Sequence, residues 1–198
     1  MTKEEKRKYA EQVFFQQKGD QPWSDLPYWN GSIDWKGCGL CSLTMAIDIV
    51  TGRDLTPADV YRMRQEAGID QLHTVTRDGT SVCGGDAQEQ FNEVYARLFG
   101  IRSQEIERSV EAFRDALAED AAIWASSRWT FFYSNTRLVR YADIGHVVCV
   151  WKYEDGCFFV KDPSLSRAES NNVRYTEEQM REWLAARSFQ QYKITAIR

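Results

Sequence analysis

The chain has 198 residues, of which 43% are hydrophobic and 13% aromatic, so it can bury a sizeable core and is too apolar for a disordered protein. Its net charge is −4 and it has no long block of Lys and Arg, which argues against nucleic-acid binding. No stretch approaches the roughly 20 apolar residues of a membrane span, and no apolar signal-peptide segment follows the basic start. We therefore expect a cytoplasmic protein without membrane contact, or one exported by a route that needs no cleaved signal.

Composition divides the chain into a short terminal segment and a single domain. Residues 1–12 begin with charges of both signs and are expected to be a solvated segment, and residues 13–198 are expected to form one domain. Up to residue 36 the sequence is rich in aromatic residues but has no clear periodicity. This pattern, interrupted by Pro and Gly, predicts an irregular, well-packed segment.

Apolar residues at helical spacing then predict a series of helices. The first has its stop signal at Gly52, the second begins with a Thr56-Pro57 cap, and Thr176 opens a capping box before the last. Residues 68–85, rich in Gly, Thr, Asp and Ser, are expected to be a long loop. The predicted helices cover residues 38–51, 57–66, 86–98, 110–119 and 177–187.

From about residue 120 onward the hydrophobic period changes from 3.6 to 2, which predicts strands. Helices first and strands later indicate an α+β domain. The predicted strands cover residues 122–125, 131–133, 145–153, 157–161 and 191–197.

The most informative motif is Gly37-Cys38-Gly39, at the start of the predicted 38–51 helix. The unpaired N–H groups and the dipole of a helix N-terminus favour a thiolate at this position. A nucleophilic cysteine also needs a histidine to move protons and a carboxylate to orient that histidine. His146, one of two histidines, and Asp162 are the candidates for these roles, which makes a nucleophilic hydrolase the leading hypothesis.

His146 and Asp162 lie on two predicted strands that are joined by a turn at Gly156. A three-residue loop would pair Tyr153 with Cys157 and make His146 and Asp162 diagonal neighbours, roughly 7–8 Å apart at the backbone. A two-residue turn would shift the register by one and put the two side chains on opposite faces. The position of Gly156 favours the three-residue loop, and therefore a His–Asp pair.

An ordered set of short motifs spans about residues 13–187: Phe14-Phe15-Gln16-Gln17, Pro22-Trp23, Tyr28, Gly37-Cys38-Gly39, Ser42-Leu43, Met45-Ala46, Thr51-Gly52, Thr56-Pro57, Gly145-His146-Val147-Val148, Asp155-Gly156 and Asp162-Pro163. In this order they resemble the C39-like peptidases, a branch of the papain-like cysteine hydrolases. The resemblance implies a papain-like catalytic domain over residues 13–198, in which a helical part with the nucleophile at a helix N-terminus packs on a C-terminal antiparallel sheet. It also implies that Cys38 is the nucleophile, His146 the general base and then acid, and Asp162 its orienting carboxylate.

The resemblance further implies an upstream glutamine whose side-chain N–H forms an oxyanion hole with the backbone N–H of Cys38. We assign this role to Gln17, with Gln16 as the fallback, because one extra residue follows the glutamine here. The family often has Gly-Cys-Gly-Pro-Thr-Ser, whereas Leu40 and Cys41 replace the proline and threonine in this chain.

Three other functions remain open from the sequence. Cys38-x-x-Cys41 at a helix start is similar to a thiol–disulfide redox motif. Cys38, Cys41, Cys83 and His73 have the ligand types of a zinc site, although only one Cys-x-x-Cys pair is present. A papain-like domain that has lost its chemistry would be a binding module.

Within the hydrolase hypothesis, we expect a peptide or protein substrate that is cleaved at a peptide or isopeptide bond through a thioester on Cys38. The same chemistry serves deamidation and transfer to an amine, so the type of bond stays open. Trp23, Trp29 and Trp35 lead up to the motif and either pack on the core or line a substrate groove. Because no phosphate-binding or calcium-binding loop is present, no cofactor and no metal are expected.

Overall fold

The structure is a computed structural model that describes residues 2–69, 74–77, 80–83, 86–133, 137–164, 166–185 and 190–197. Its helices are α1 (Lys3–Gln12), α2 (Ile33–Lys36), α3 (Cys38–Thr51), α4 (Pro57–Glu66), α5 (Asn92–Phe99), α6 (Val110–Ala118), α7 (Arg167–Ser170) and α8 (Glu177–Ala185). Its strands are β1 (Pro27–Tyr28), β2 (Gly31–Ser32), β3 (Thr74–Arg77), β4 (Thr80–Cys83), β5 (Ile101–Glu105), β6 (Ala122–Tyr133), β7 (Arg137–Glu154), β8 (Cys157–Lys161), β9 (Val173–Thr176) and β10 (Gln191–Ala196).

A six-stranded antiparallel sheet with the strand order β5-β10-β6-β7-β8-β9 forms the centre of the fold. The hairpins β1-β2 and β3-β4 form two further, separate sheets. Helix α3 packs on one face of the large sheet, against β6, β7 and β10, and α6 and α8 pack on the other face. The fold is therefore a layered α+β domain, as the change of hydrophobic period predicted.

Alternate side chains of the central strands enter two different hydrophobic cores, as a strand buried on both faces requires. Val147 and Cys149 of β7 belong to the core that also contains α3. Val148 and Val150 belong to the core under α6 and α8. Both cores therefore reach β7, the strand that carries His146.

Helix α3 confirms the prediction for residues 38–51. Leu40, Leu43 and Ile47 are completely buried, and the helix ends where Gly52 adopts a left-handed conformation with φ of 71°. The predicted Thr56-Pro57 start of α4 is also confirmed, with a capping box between Thr56 and Asp59.

Several elements differ from the sequence predictions. The segment up to residue 36, predicted to be irregular, contains α1. The charged side chains between Glu4 and Glu11 are exposed, while Ala10 lies in the core. The 68–85 segment, predicted to be a loop, contains the hairpin β3-β4. The helix predicted over 86–98 begins only at Asn92, after a 3-10 turn. The strand pieces predicted at 122–125 and 131–133 belong to one strand, β6.

Strands β5 and β9 were missed for a physical reason. They form the two edges of the sheet, where fewer of the side chains are buried by neighbouring elements. Only Ile101 and Ser103 of β5, and only Tyr175 of β9, are fully buried. Such short, mostly polar segments lack the apolar alternation by which strands are recognised in a sequence.

Candidate active site

Cys38 is the first residue of α3, and the short helix α2 ends just before it. Cys38 is a partly exposed residue. The two flanking glycines have a steric role: a Cβ atom on Gly37 would overlap with Ile33, and one on Gly39 would overlap with the carboxylate of Asp86. The motif therefore permits a tight connection between the two helices at the nucleophile.

His146 and Asp162 form a buried pair, with 2.8 Å between His146 Nε2 and Asp162 Oδ1. The same carboxylate oxygen accepts hydrogen bonds from Ser164, at 2.9 Å from its backbone N–H and 2.8 Å from its hydroxyl. Asp162 is therefore fixed by a turn as well as by the histidine. Because Nε2 is used, Nδ1 is the ring nitrogen left for the Cys38 side chain, which also contacts the imidazole.

The β7-β8 hairpin reaches this arrangement by a different route from the predicted one. Its turn has two residues, Asp155 and Gly156, both with positive φ (51° and 73°), so the predicted three-residue loop is wrong. A β-bulge at Trp151 then shifts the register back by one residue. Beyond the bulge, Cys149 pairs with Lys161, which is the register that the longer loop would have produced.

The charge state of His146 depends on three influences. Burial lowers the pKa of its imidazole, but the charge and hydrogen bond of Asp162 and the contact with Cys38 together raise it to about 10. At neutral pH the imidazolium is therefore the favoured form. An imidazolium beside a cysteine is the partner that stabilises a thiolate.

Gln17 is buried and belongs to the same region. Its side-chain Nε2 donates a hydrogen bond to the backbone carbonyl of Asp34, 3.0 Å away, which uses one of its two N–H groups. Its backbone N–H donates to the carbonyl of Pro163, 2.7 Å away, directly after Asp162. Gln17 is thus hydrogen-bonded both to α2, the helix that precedes Cys38, and to the turn that carries Asp162.

Lys161 supports the loop that follows Asp162. Its buried ammonium group donates to the side chains of Asn171 and Asn172, at 2.8 and 3.0 Å, and to the carbonyl of Glu11, at 3.3 Å. Since all three acceptors are neutral, burial lowers the pKa of Lys161 to about 7. These contacts join the end of α1 to the end of the loop.

The remaining cysteines and tryptophans have distinct surroundings. Cys41 is completely buried, and burial, followed by the nearby charges of Cys38 and Asp86, raises the pKa of its thiol. Trp23 packs in the core, whereas Trp29 and Trp35 are 40% and 71% exposed. The prediction left packing and groove lining open for all three, and the structure assigns packing to Trp23.

Two supporting residues were not singled out from the sequence. Ser164 could have been recognised, because an Asp two residues before a Ser is typical of a side-chain-capped turn. Asp86 could not, because its contact with Gly39 joins segments far apart in the chain.

The alternative zinc ligands cannot be assembled from the described residues. His73 and the side chain of Cys83 lie outside them, and within them no group of three potential metal ligands occurs. In the same part of the chain, no helix is both long and apolar enough to cross a membrane.

The fold is similar to the crystal structure of a candidate C39-like peptidase from Bacillus anthracis, with a TM-score of 0.54 over 94% of this chain and 95% of that chain. The two sequences are 14% identical, so the similarity concerns the fold. No family model matches the chain, and no curated protein matches it in sequence. The mixed helical and antiparallel architecture is consistent with the papain-like fold of this structural neighbour.

Proposed function

We propose that the protein is a C39-like cysteine hydrolase that cleaves a peptide or isopeptide bond through a thioester on Cys38. The observation that carries the proposal is the buried His146–Asp162 pair, whose imidazole also contacts the side chain of the partly exposed Cys38. The similarity in fold to a candidate C39-like peptidase supports the same class of chemistry.

The proposed reaction begins from the thiolate–imidazolium pair, in which His146 already holds the proton of Cys38, and the sulfur of the thiolate attacks the carbonyl carbon of the substrate. The resulting oxyanion accepts hydrogen bonds from the backbone N–H of Cys38 and from the free N–H of Gln17. His146 then donates its proton to the leaving amine as the C–N bond breaks, which leaves an acyl group on Cys38. Water, deprotonated by His146, attacks this thioester and the C–S bond breaks, which releases the acid and restores the thiolate–imidazolium pair.

The redox alternative has less support than the hydrolase. Thiol–disulfide exchange requires a second thiol that can attack the mixed disulfide, and reactivity rises with thiolate character and access. Cys41 has neither, because it is completely buried and its pKa is raised.

Acyl transfer from p-nitrophenyl acetate tests the proposed chemistry without knowledge of the natural substrate. We expect a burst of p-nitrophenol and an acetyl group on Cys38, identified by peptide mass spectrometry, followed by slow turnover. Cys38→Ala should show no burst, and His146→Ala a much slower one. Acetylation that persists in Cys38→Ala would contradict the proposal. Digestion of a mixed peptide library by the wild type, with Cys38→Ala as control, then tests whether peptide bonds are cleaved.

A further inference from the structure

A buried polar cluster that has no part in the proposed reaction lies beside the first turn of α3. It is centred on Asp86, whose Oδ1 pairs with Arg64 Nη1 at 2.6 Å and also accepts a hydrogen bond from the Tyr28 hydroxyl. The hydroxyl of Tyr95 donates to the backbone carbonyl of Asp86. All four residues are buried.

The members of this Asp86 cluster come from separate parts of the chain. Tyr28 belongs to β1, Arg64 to α4 and Tyr95 to α5, and Asp86 precedes the turn that leads into α5. A buried charge pair stabilises a fold less than apolar packing of the same volume would. Three elements that converge on one buried aspartate therefore suggest a purpose other than stability alone.

The cluster touches α3 next to the nucleophile. The second oxygen of Asp86 occupies the space that a side chain on residue 39 would need. From β6, the indole N–H of Trp124 donates to the carbonyl of Gly39, 3.0 Å away. Gly39 is therefore in contact with both the carboxylate of Asp86 and the indole of Trp124.

We propose that Asp86, neutralised by Arg64, is a positioning residue for Cys38; the inference rests on the proposed function. The carboxylate fixes the first turn of α3 and thereby holds the thiol against His146. Arg64 is needed because an unpaired carboxylate so close to Cys38 would oppose the formation of a thiolate. The charge of Asp86 reaches this part of the helix, since it contributes, after burial and Cys38, to the raised pKa of Cys41.

The pH profile of Cys38 alkylation by iodoacetamide distinguishes positioning by a neutralised charge from simple structural support. Arg64→Met removes the positive charge beside the Asp86 carboxylate and should slow alkylation at pH ~6 by about tenfold, which moves the profile to higher pH. Asp86→Asn removes the negative charge beside Arg64 and should move the profile to lower pH. The double variant should return close to the wild type. A purely structural role would move both single variants in the same direction.

Arg62→Met is the matched control, because Arg62 lies on the same helix but is exposed and pairs only weakly with Asp59, at 3.5 Å. Its profile should coincide with that of the wild type. If either charge variant fails to fold, Tyr28→Phe decides, since it removes one hydrogen bond to Asp86 without changing a charge. We expect it to slow alkylation several-fold at pH ~6 while far-UV circular dichroism stays unchanged.

The positioning role would be overturned if the profiles of the two folded charge variants coincided with the wild-type profile, or if both shifted in the same direction. Where Tyr28→Phe is used instead, an unchanged alkylation rate would overturn it. Failure of the proposed function would be seen separately. In that case the wild-type profile itself would be insensitive to His146→Ala, whatever the Asp86 cluster does.

Discussion

Two cysteines one turn apart on α3 have opposite surroundings. Cys38 is partly exposed and contacts His146, whereas Cys41 is completely buried and has a raised pKa. We therefore predict that Cys38→Ala lowers the rate of p-nitrophenyl acetate turnover by at least about a thousandfold. Cys41→Ser should keep most of the activity, although a buried hydroxyl costs some stability. Equal losses in the two folded variants would show that the roles are wrongly assigned.

The carboxylate of Asp162 should control the titration of His146. Burial opposes the charged imidazole, so its raised pKa of about 10 depends on the charge of Asp162. Asp162→Asn keeps an acceptor at the same place but removes the charge, and we predict a markedly lower pKa for His146. Because the chain has only two histidines, a His73→Gln variant leaves a single imidazole to follow by NMR. A wild-type His146 that titrates at its ordinary pKa would contradict this view of the pair.

The same shift predicts how stability depends on pH. A histidine whose pKa is raised by folding stabilises the folded state fully below its ordinary pKa of about 6.5, and this contribution is lost as pH rises towards 10. The difference in unfolding free energy between the wild type and His146→Ala should therefore shrink between pH 6.5 and 10. Urea denaturation at several pH values measures it, and the comparison cancels other titrating groups. A difference that grows with pH would mean that the imidazole is neutral in the folded protein.

At the scale of single residues, chemistry made part of the site predictable. Cys38, His146 and Asp162 were predictable as a set, because a cysteine at a helix start, a histidine and a carboxylate are the parts of a nucleophilic triad, and the expected proximity of His146 and Asp162 is present. Their catalytic roles stay a proposal. Asp86 was out of reach, because its importance lies in a contact with Gly39 that no local pattern records.

At the scale of elements, the β-bulge at Trp151 is one of two features that together set the register of β7 and β8 at the site. It offsets the two-residue turn and restores the register of His146 and Asp162. Deleting Trp151 alone would leave Val150 opposite Val160. Deleting Val150 and Trp151 together removes one residue more than the bulge supplies and should slip the strands by one residue, which separates the pair. We predict that His146 then loses its raised pKa and that Cys38 alkylation at pH ~6 slows at least tenfold.

The control for this deletion is Trp151→Phe, which keeps the residue count and therefore the bulge. It should change the alkylation profile little, although the hydrogen bond from the Trp151 indole to Asn172 is lost. If the double-deletion variant folds and keeps the wild-type profile, the register of β7 and β8 does not set the geometry of the pair.

Elements whose own sequence has apolar spacing and start or stop residues were predictable. Elements that form only because an adjacent strand provides hydrogen-bond partners were not. Helix α3 has its own apolar spacing and stop signal, so its limits follow from the sequence. The edge strands β5 and β9 are strands because β10 and β8 provide hydrogen-bond partners. The bulge arises in the same way, from the fit between β7 and β8, and a turn rule applied to Gly156 alone therefore gave the wrong loop length.

At the scale of the whole molecule, the sheet separates two hydrophobic cores, and Cys38 packs against one of them. Phe158 is completely buried in the core under α6 and α8, where its ring packs edge-on against Phe113 at 6.3 Å. Phe158→Ala should lower the unfolding free energy by about 3–5 kcal/mol, measured by urea denaturation. Because Cys38 lies against the opposite core, its alkylation rate in native buffer should stay within about twofold. A large loss of reactivity in the folded variant would show that the two faces are not independent.

The central claim is that Cys38 and His146 form a thiolate–imidazolium pair in this fold. The most direct test is the pH dependence of Cys38 alkylation by iodoacetamide, with the site assigned by mass spectrometry, in the wild type and in His146→Ala. We predict that Cys38 reacts at pH ~6 in the wild type and loses this reactivity in the variant. Reaction only near the pH ~8.5 of an ordinary thiol, unchanged by removal of His146, would contradict the claim.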